Sequence, residues 1–239
     1  MHNRVAVVVT CEHASNRVPT ALQAALGLSA RRLRTHAAYD EGAAEVARRL
    51  ARDFDTRPIL GTISRLAIDL NRSPHNPRRF SDAARRLDPG TRQPLGQIYA
   101  RHWQAVEDEL ASHVDARRFV AHVGVHSFVP VLRGRVRPMD IGLLYDPARP
   151  RERALALAWA RELRARDTNL VVRRNAPYRG VADGLTRAMR RRWPDRAYAG
   201  LELELNQRNL HDGRFGTALV GVVAASLTAA LASFDPARV

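Results

Sequence analysis

The stretch Leu-Glu-Leu-Glu-Leu at residues 201–205 alternates apolar and acidic residues with a period of two. Successive side chains on a strand point to opposite faces, so its leucines share one face while Glu202 and Glu204 share the other. The leucine face predicts contact with a hydrophobic core. Burying carboxylates is costly unless they meet positive charge or a metal, so the acidic face indicates either an exposed edge strand or a functional site.

The rest of the chain alternates short apolar runs with segments of helical periodicity. This alternation favours an α/β fold, a three-layer sandwich with a mixed, mostly parallel central sheet between helices. Because the 239 residues contain no convincing linker, we predict a single domain over residues 1–239. Strands are predicted at 5–10, 119–126, 140–145, 170–173 and 201–205, and residues 59–62 and 66–70 are predicted to form two strands or one bent strand. Helices are predicted at 41–52, 95–113, 151–166, 181–192 and 215–231, and a loop at 73–77.

Composition excludes several classes of protein. One cysteine, Cys11, cannot form an intrachain disulfide, and residues 1–4 lead into an apolar strand without a signal-peptide core, so we expect a cytoplasmic protein. Residues 215–234 carry no charge, but leucine and valine recur every fourth position, which favours a buried helix over a membrane span. The net charge of +15 comes from arginine alone, scattered and without interleaved aromatics. This pattern argues against nucleic acid as the partner and mildly favours an anionic substrate.

Unusual polar residues cluster where the predicted strands end, which is where ligands bind in α/β sheets. His13 follows the first strand and His126 ends another, and two rigidly held imidazoles suit a metal ion. Each histidine alone is also compatible with a structural role. Asp40 precedes a predicted helix, so it is either an N-cap or a carboxylate ligand. A glutamate on the acidic face of residues 201–205, which carries Glu202 and Glu204, is a candidate general base for hydrolysis.

Two groups of arginines are candidate partners for an anionic substrate. Asn71 and Arg72 together could hold a carboxylate, although Arg72 could equally stabilise its own loop. Arg133, Arg135 and Arg137 follow His126 and could polarise a carbonyl or bind a second carboxylate. The chain has no glycine-rich phosphate loop, no dinucleotide fingerprint, no G-x-S-x-G elbow and no HExxH motif, so the corresponding enzyme classes are not indicated.

Seven segments, in order, resemble the N-formylglutamate amidohydrolase family. They are CEHASNRVP (11–19), His36 with Tyr39, Asp40 and Gly42, SRLAIDLNRS (64–73), VHSF (125–128), DIGLLYD (140–146), RNAPYRG (174–180) with Asp183 and Gly184, and LELELNQ (201–207).

The family is itself similar to zinc carboxypeptidases and aspartoacylases, so the resemblance implies a carboxypeptidase-like sandwich, one zinc ion and hydrolysis of an N-formyl or other N-acyl amino acid. It implies His13 and His126 as zinc ligands and Glu204 as the base. The carboxypeptidase pattern His-x-x-Glu is broken here by Asn16, so Asp40 is our expected third ligand, ahead of Asn16 and Glu12.

The same resemblance implies that the substrate carboxylate is bound by Asn71 and Arg72, with Arg179 as a further contact. Arg133 or Arg72 would then stabilise the oxyanion. Three alternatives stay open: an amidase for another N-acyl or cell-wall-type amide, a basic nucleic-acid-binding protein, and a metal-free carboxylate-binding protein.

Overall fold

The computed structural model describes residues 5–239; residues 1–4, on which the expectation about a signal peptide partly rests, lie outside the described residues. The helices are α1 (Thr20–Ala25), α2 (Ala30–Leu33), α3 (Ala43–Asp53), α4 (Asp82–Arg85), α5 (Pro89–Asp115), α6 (Pro150–Arg166), α7 (Leu185–Arg192) and α8 (Thr217–Ser233), with short 3₁₀ helices at Pro77–Arg79 and Gln207–Asn209. The strands are β1 (Val5–Cys11), β2 (Ile59–Leu60), β3 (Phe119–Phe128), β4 (Val131–Leu132), β5 (Arg135–Val136), β6 (Ile141–Leu144), β7 (Val172–Arg174), β8 (Tyr198–Asn206), β9 (Leu210–His211) and β10 (Arg214–Phe215).

Six strands form the central sheet in the order β2-β1-β3-β8-β6-β7. The pairs β1–β2, β1–β3 and β3–β8 are parallel, β6 runs antiparallel to β8, and β7 is parallel to β6. The carboxyl ends of β1, β3 and β8 therefore meet at one edge of the sheet, with His126 directly opposite Glu204 in the register.

Two hydrophobic clusters cover the two faces of the sheet. On one face, α3, α6 and α8 pack against the sheet, with Trp159 and Leu227 fully buried between them. On the other face, α1, α2, α5 and α7 pack against the sheet around Leu110 and Tyr198. The predicted α/β class and its layered architecture, with helices on both faces of a mixed, mostly parallel sheet, are confirmed.

The alternation that predicted strand β8 is confirmed in detail. Its leucines, at 201, 203 and 205, are buried in the cluster that includes α6 and α8. The opposite face carries Glu202, which accepts a hydrogen bond from the Thr186 hydroxyl (2.7 Å), and Glu204, which is buried. The acidic face is therefore an interior face of the sheet and not a solvated edge.

The predicted strand at 66–70 is wrong. These residues form turns with a single isolated bridge between Ile68 and Phe80. The Ser64 carbonyl accepts hydrogen bonds from the backbone of Ala67 and Ile68, and the Trp103 indole donates to the Leu70 carbonyl (2.9 Å). The apolar residues are buried beneath α5, so their hydrophobicity reflects contact with a helix instead of strand pairing.

Two predicted helices have different outcomes. The helix expected at 181–192 begins only at Leu185, because Gly184 before it is fully extended. The C-terminal helix is confirmed: Val223 and Leu227 are buried and Leu219 and Leu231 pack against the same cluster. Within residues 5–239, no helix combines the length and apolar character that crossing a bilayer requires.

Candidate active site

The candidate site lies at the carboxyl edge of the sheet, where its parallel strands end. His13 lies two residues beyond β1, His126 lies near the end of β3, and Glu204 lies opposite it near the end of β8. Asp40 comes from the segment just before α3. All four side chains are buried, at no more than 5% relative exposure. The parallel order of the sheet thus assembles residues that are far apart in sequence.

Two imidazoles converge on one carboxylate. The Nδ1 atoms of His13 and His126 lie 3.3 and 3.0 Å from Oδ2 of Asp40. One ligand atom from each of the three residues lies within 4.8 Å of the other two. Helix α3 is capped by Gly42 without a side-chain hydrogen bond, so the side chain of Asp40 does not serve as its N-cap. We call His13, Asp40 and His126 the His–Asp cluster.

A second carboxylate binds the far nitrogen of each imidazole. His13 Nε2 lies 2.7 Å from Asp69 Oδ1, and His126 Nε2 lies 3.1 Å from Glu12 Oε2. Ionised carboxylates only accept hydrogen bonds, so both Nε2 atoms carry the hydrogen. In a neutral imidazole this leaves the Nδ1 lone pair pointing into the cluster. Carboxylate–histidine pairs of this kind orient metal-binding imidazoles in many proteins.

These outer carboxylates are ionised. Burial alone would raise the pKa of Asp69, but His13 and Arg65 overcome it and lower that pKa to about 2. Burial likewise opposes ionisation of Glu12, whose pKa is nonetheless held far below its ordinary value by hydrogen bonding and charge from His126. The cluster is therefore surrounded by negative charge that only a cation can balance.

Arg65 supplies part of that positive charge. Its Nη2 donates to Asp40 Oδ1 and to the His36 carbonyl (2.9 Å), and its Nη1 lies 3.3 Å from His13 Nδ1. Burial opposes ionisation of Asp40, but Arg65 and His13 hold its pKa well below the ordinary value. Despite burial, hydrogen bonds to Asp40 and Glu12 hold the pKa of His126 well above its ordinary value.

The residues present fit a divalent metal ion. The Nδ1 of His126 faces a carboxylate oxygen while its Nε2 is already engaged, an arrangement that requires a proton or a metal ion between Nδ1 and Asp40. Two imidazole nitrogens and one carboxylate oxygen are donors that zinc accepts in catalytic sites, where a fourth position stays open. Asn16, at the position that the carboxypeptidase pattern gives to glutamate, is partly exposed.

Glu204 is held in an environment that favours its protonated form. Burial, assisted by Asp40 and Glu202 and opposed by His126, raises the pKa of Glu204 to about 8. Its Oε2 is buried and has no hydrogen-bond partner among the described residues. A Cβ on neighbouring Gly142 would lie 3.2 Å from the Cβ of Glu204 and 2.0 Å from the carbonyl oxygen of Ala176, so only glycine fits there.

Asn71 and Arg72 lie beside the cluster, next to Asp69. Asn71 Nδ2 lies 3.5 Å from His126 Nε2, and its Oδ1 accepts a hydrogen bond from the first backbone NH of α7 (2.8 Å). Arg72 donates through Nη1 to the Asp183 carbonyl (3.1 Å), and its Nε lies 3.5 Å from Asp69. Its side chain is still 42% exposed, so the guanidinium is fixed at one side and open at the other.

The remaining candidates lie farther out. Arg133 occupies the exposed turn between β4 and β5 with a positive φ of 50°, and within residues 5–239 it forms no hydrogen bond or ion pair with the His–Asp cluster. Arg179 is exposed on the loop that precedes α7. Within the described residues its side chain likewise forms no hydrogen bond or ion pair with the His–Asp cluster. The structure brings together His13, Asp40 and His126, with Glu204, Asn71 and Arg72 around them, and leaves these two arginines outside.

Sequence reasoning missed the outer residues of the site. The sequence assigns no role to Arg65 or Asp69 and offers Glu12 only as a substitute metal ligand, although all three contact the cluster. His36 is a further neighbour, 3.5 Å from Asp40, and accepts a hydrogen bond from Gln207 (3.1 Å). The only sequence signal was their concentration in CEHASN and SRLAIDLNR, where charged residues interrupt apolar runs.

Comparisons with known proteins bear on the family and on the overall fold of the chain. The sequence profile described as N-formylglutamate amidohydrolase matches residues 5–210. The structure of gene product Atu2144 from Agrobacterium tumefaciens is 32% identical, with a TM-score of 0.80 over 95% of this chain and 90% of that chain. An N-formylglutamate amidohydrolase from Ralstonia eutropha shares the fold, with a TM-score of 0.70 at 17% identity over 95% of this chain and 91% of that chain. Among curated proteins, no match was found.

Proposed function

Because the chain belongs to the N-formylglutamate amidohydrolase family, we propose that it hydrolyses the amide of an N-formyl or other N-acyl amino acid, such as N-formyl-L-glutamate. The products are formate, or another acid, and the free amino acid. The observation that carries the proposal is the convergence of His13 and His126 on Asp40, with a second carboxylate behind each imidazole.

We propose that the His–Asp cluster holds one divalent ion, zinc, through His13 Nδ1, His126 Nδ1 and Asp40. When bound, the ion supplies positive charge that polarises the scissile carbonyl and favours ionisation of water. The outer carboxylates, Asp69 and Glu12, keep the two imidazoles in the orientation that offers Nδ1 to the ion.

Glu204 is the proposed general base and acid. Its unpartnered Oε2 takes a proton from the attacking water, whose oxygen bonds to the carbonyl carbon. The carbon–nitrogen bond then breaks, and the same oxygen of Glu204 returns the proton to the leaving amine. The carboxylate form of Glu204 accepts this proton. Burial raises the pKa of Glu204, but His126 opposes this effect, and a cation bound at the His–Asp cluster would lower the pKa further and favour that form.

Four residues are assigned to contact the negatively charged groups of the substrate. Asn71 and Arg72 hold the carboxylate of the substrate, since the Arg72 guanidinium is fixed by Asp183 and open on its other side. Arg65 contacts His13 and Asp40 of the cluster. We therefore assign it, in preference to the expected Arg133 or Arg72, to stabilise the negative charge on the carbonyl oxygen. Arg179, on the exposed loop, is proposed as a contact for the incoming anionic substrate.

We also propose that residues 1–239 act as one domain. The two hydrophobic clusters lie on opposite faces of a single sheet, and each is built from elements of both halves of the chain. For example, α3 and α8 contribute to the same cluster from opposite ends of the sequence.

The proposed reaction is tested by incubating purified protein with N-formyl-L-glutamate, N-formyl-L-aspartate and N-acetyl-L-glutamate, and measuring both products of each. We expect equimolar release of the acid and the free amino acid from at least one of the three. If the protein binds zinc but releases no amine from any of the three, the proposed reaction is wrong.

A further inference from the structure

One arginine of the β4–β5 region is held against the site, unlike its neighbours. Arg133 and Arg135 are exposed on the hairpin, whereas Arg137, just after it, is partly buried. Its Cζ lies 5.0 Å from the centre of the Tyr178 ring and 5.6 Å from that of the Phe128 ring. Two aromatic faces fix a guanidinium by cation–π attraction and limit its motion.

The backbone of Arg137 is fixed as well. Its NH donates to the Pro130 carbonyl (2.8 Å), and its own carbonyl accepts a hydrogen bond from the Asn206 amide (3.0 Å). Asn206 is fully buried and lies two residues after Glu204, at the end of the same strand. Arg137 is therefore attached to the end of β8 that carries the proposed base.

The guanidinium of Arg137 retains unused donors. Its Nη1 donates to the Tyr178 hydroxyl (3.2 Å), which engages one of five N–H groups. None of the ion pairs found among residues 5–239 includes Arg137, whereas Arg65, Arg190 and Arg208 are each paired with a carboxylate. A rigidly held cation that lacks a protein carboxylate is suited to bind an anion from outside.

Arg137 approaches the cluster from a different side than Arg72 does. Arg72 contacts Asp69 and Asp183, on the side of α7. Arg137 contacts Phe128 and Asn206 on another side. There the neighbouring Gln207 donates a hydrogen bond to His36, which lies beside Asp40. The two arginines thus flank the reaction centre.

We propose that Arg137, clamped between Phe128 and Tyr178, binds a second carboxylate on the side chain of the substrate and makes the enzyme selective for N-acyl derivatives of acidic amino acids. This inference rests on the proposed amidohydrolase function, in which Arg72 binds the first carboxylate. A planar guanidinium forms paired hydrogen bonds with a carboxylate, and a neutral side chain of the same length leaves them unmade.

The test compares Arg137→Met with a control, Arg173→Met, which removes an exposed arginine from β7. Each protein is assayed with N-formyl-L-glutamate and with N-formyl-L-norvaline, which lacks the second carboxylate. We expect the wild type to prefer the glutamate substrate. Arg137→Met should raise the KM for N-formyl-L-glutamate about 10- to 100-fold and leave the turnover of N-formyl-L-norvaline unchanged. Arg137→Lys should restore part of the loss, and Arg173→Met should behave as the wild type.

Other outcomes separate this inference from the proposed reaction. If the wild type hydrolyses both substrates equally, or if Arg137→Met impairs both equally, Arg137 does not read the side chain although the reaction stands. If neither substrate is hydrolysed, the binding of L-glutamate and L-norvaline is measured by calorimetry in the wild type and in Arg137→Met. Weaker glutamate binding in the variant supports the carboxylate site, and equal glutamate binding in the two proteins overturns it.

Discussion

Two carboxylates orient the imidazoles of His13 and His126. Asp69 and Glu12 each accept the Nε2 hydrogen of one imidazole, so that both Nδ1 atoms face Asp40. Hydrogen bonds to charged acceptors in a buried site are stronger than those between neutral groups, and they fix both the tautomer and the ring orientation. Residues of the protein itself thus set the tautomers and the orientations of the two imidazoles.

Removal of the carboxylate of Glu204 tests the proposed base. We expect Glu204→Gln to lower kcat by about 10²–10⁴-fold while bound zinc is retained, because the amide cannot accept the proton of the attacking water. Steady-state kinetics and metal analysis of the same preparation provide the measurement. The matched control is Glu202→Gln on the same strand, whose carboxylate accepts from Thr186, and its loss should be far smaller. Equal losses in both variants would contradict the assignment.

Removal of either outer carboxylate tests the proposed orientation of the imidazoles. We expect Asp69→Asn and Glu12→Gln to weaken zinc binding by about 10- to 100-fold, because the histidines lose the partner that fixes Nδ1 toward the ion. Competition with a chromophoric chelator measures the affinity, and Asp53→Asn, at the end of α3, serves as the control. Unchanged affinity in both variants would show that these carboxylates do not support the metal site.

At this scale, the sequence predicted the central residues better than their surroundings. His13, Asp40 and His126 were singled out, but each had a plausible structural role, since 27 and 86 residues separate Asp40 from its two partners. Arg65 could not be recognised, because its role depends on contact with Asp40 and not on its neighbours in sequence. The family resemblance, and not periodicity, supplied the argument for a single site.

At the scale of elements, helix α5 supports the segment that carries Asp69 and Arg72. The Tyr99 hydroxyl donates to the Arg72 carbonyl (2.6 Å), and the Trp103 indole donates to the Leu70 carbonyl. The two rings stack with their centres 5.3 Å apart. A helix thereby fixes a stretch of turns whose backbone pairs with Phe80 through an isolated bridge instead of a strand ladder.

We expect Tyr99→Phe to loosen this stretch without disrupting the fold. Loss of the hydrogen bond to Arg72 should lower the free energy of unfolding by about 0.5–1.5 kcal/mol. The KM should rise while kcat is largely retained, because Arg72 is assigned to binding and not to the chemical step. Urea unfolding and steady-state kinetics measure the two effects. A fall in kcat at unchanged KM would show that the segment acts in the reaction step instead.

The same segment shows where element prediction from sequence fails. Residues 66–70 have the apolar character of a strand, but their backbone hydrogen bonds are satisfied by turns and by the α5 side chain of Trp103. Helices α1, α2 and α4 were not predicted, since four to six residues are too few to show a helical period. The long helices and the buried strands, which have strong patterns, were predicted correctly in type.

At the scale of the whole molecule, three buried polar side chains on the neighbouring strands β1, β3 and β8 are joined by hydrogen bonds. His122 on β3 is fully buried, with Nε2 2.9 Å from the Thr10 hydroxyl and Nδ1 2.8 Å from the Tyr198 hydroxyl. Burial lowers the pKa of His122 to about 4. The folded state therefore favours the neutral imidazole well below the pH at which an unfolded histidine becomes charged.

This burial gives a pH dependence of stability with a defined sign. The folded pKa lies below the unfolded value, so the contribution of neutral His122 is complete above about pH 6.5 and is lost progressively as pH falls toward 4. We expect His122→Gln to reduce this acid-side loss, measured as the free energy of unfolding in urea between pH 7 and 4.5 with chelator present. The exposed His75→Gln should retain the wild-type slope. Equal slopes in all three proteins would rule out His122 as the titrating group.

The most direct measurement for the whole molecule is the rate of N-formyl-L-glutamate hydrolysis as zinc is added back to chelator-treated protein. We expect chelation to abolish turnover, and zinc to restore it with an end point at about one ion per chain, as one His–Asp cluster requires. His126→Asn should remove both the high-affinity binding and the restoration. Turnover that survives complete removal of metal, or that returns in His126→Asn, would contradict a reaction that depends on a metal ion at the His–Asp cluster.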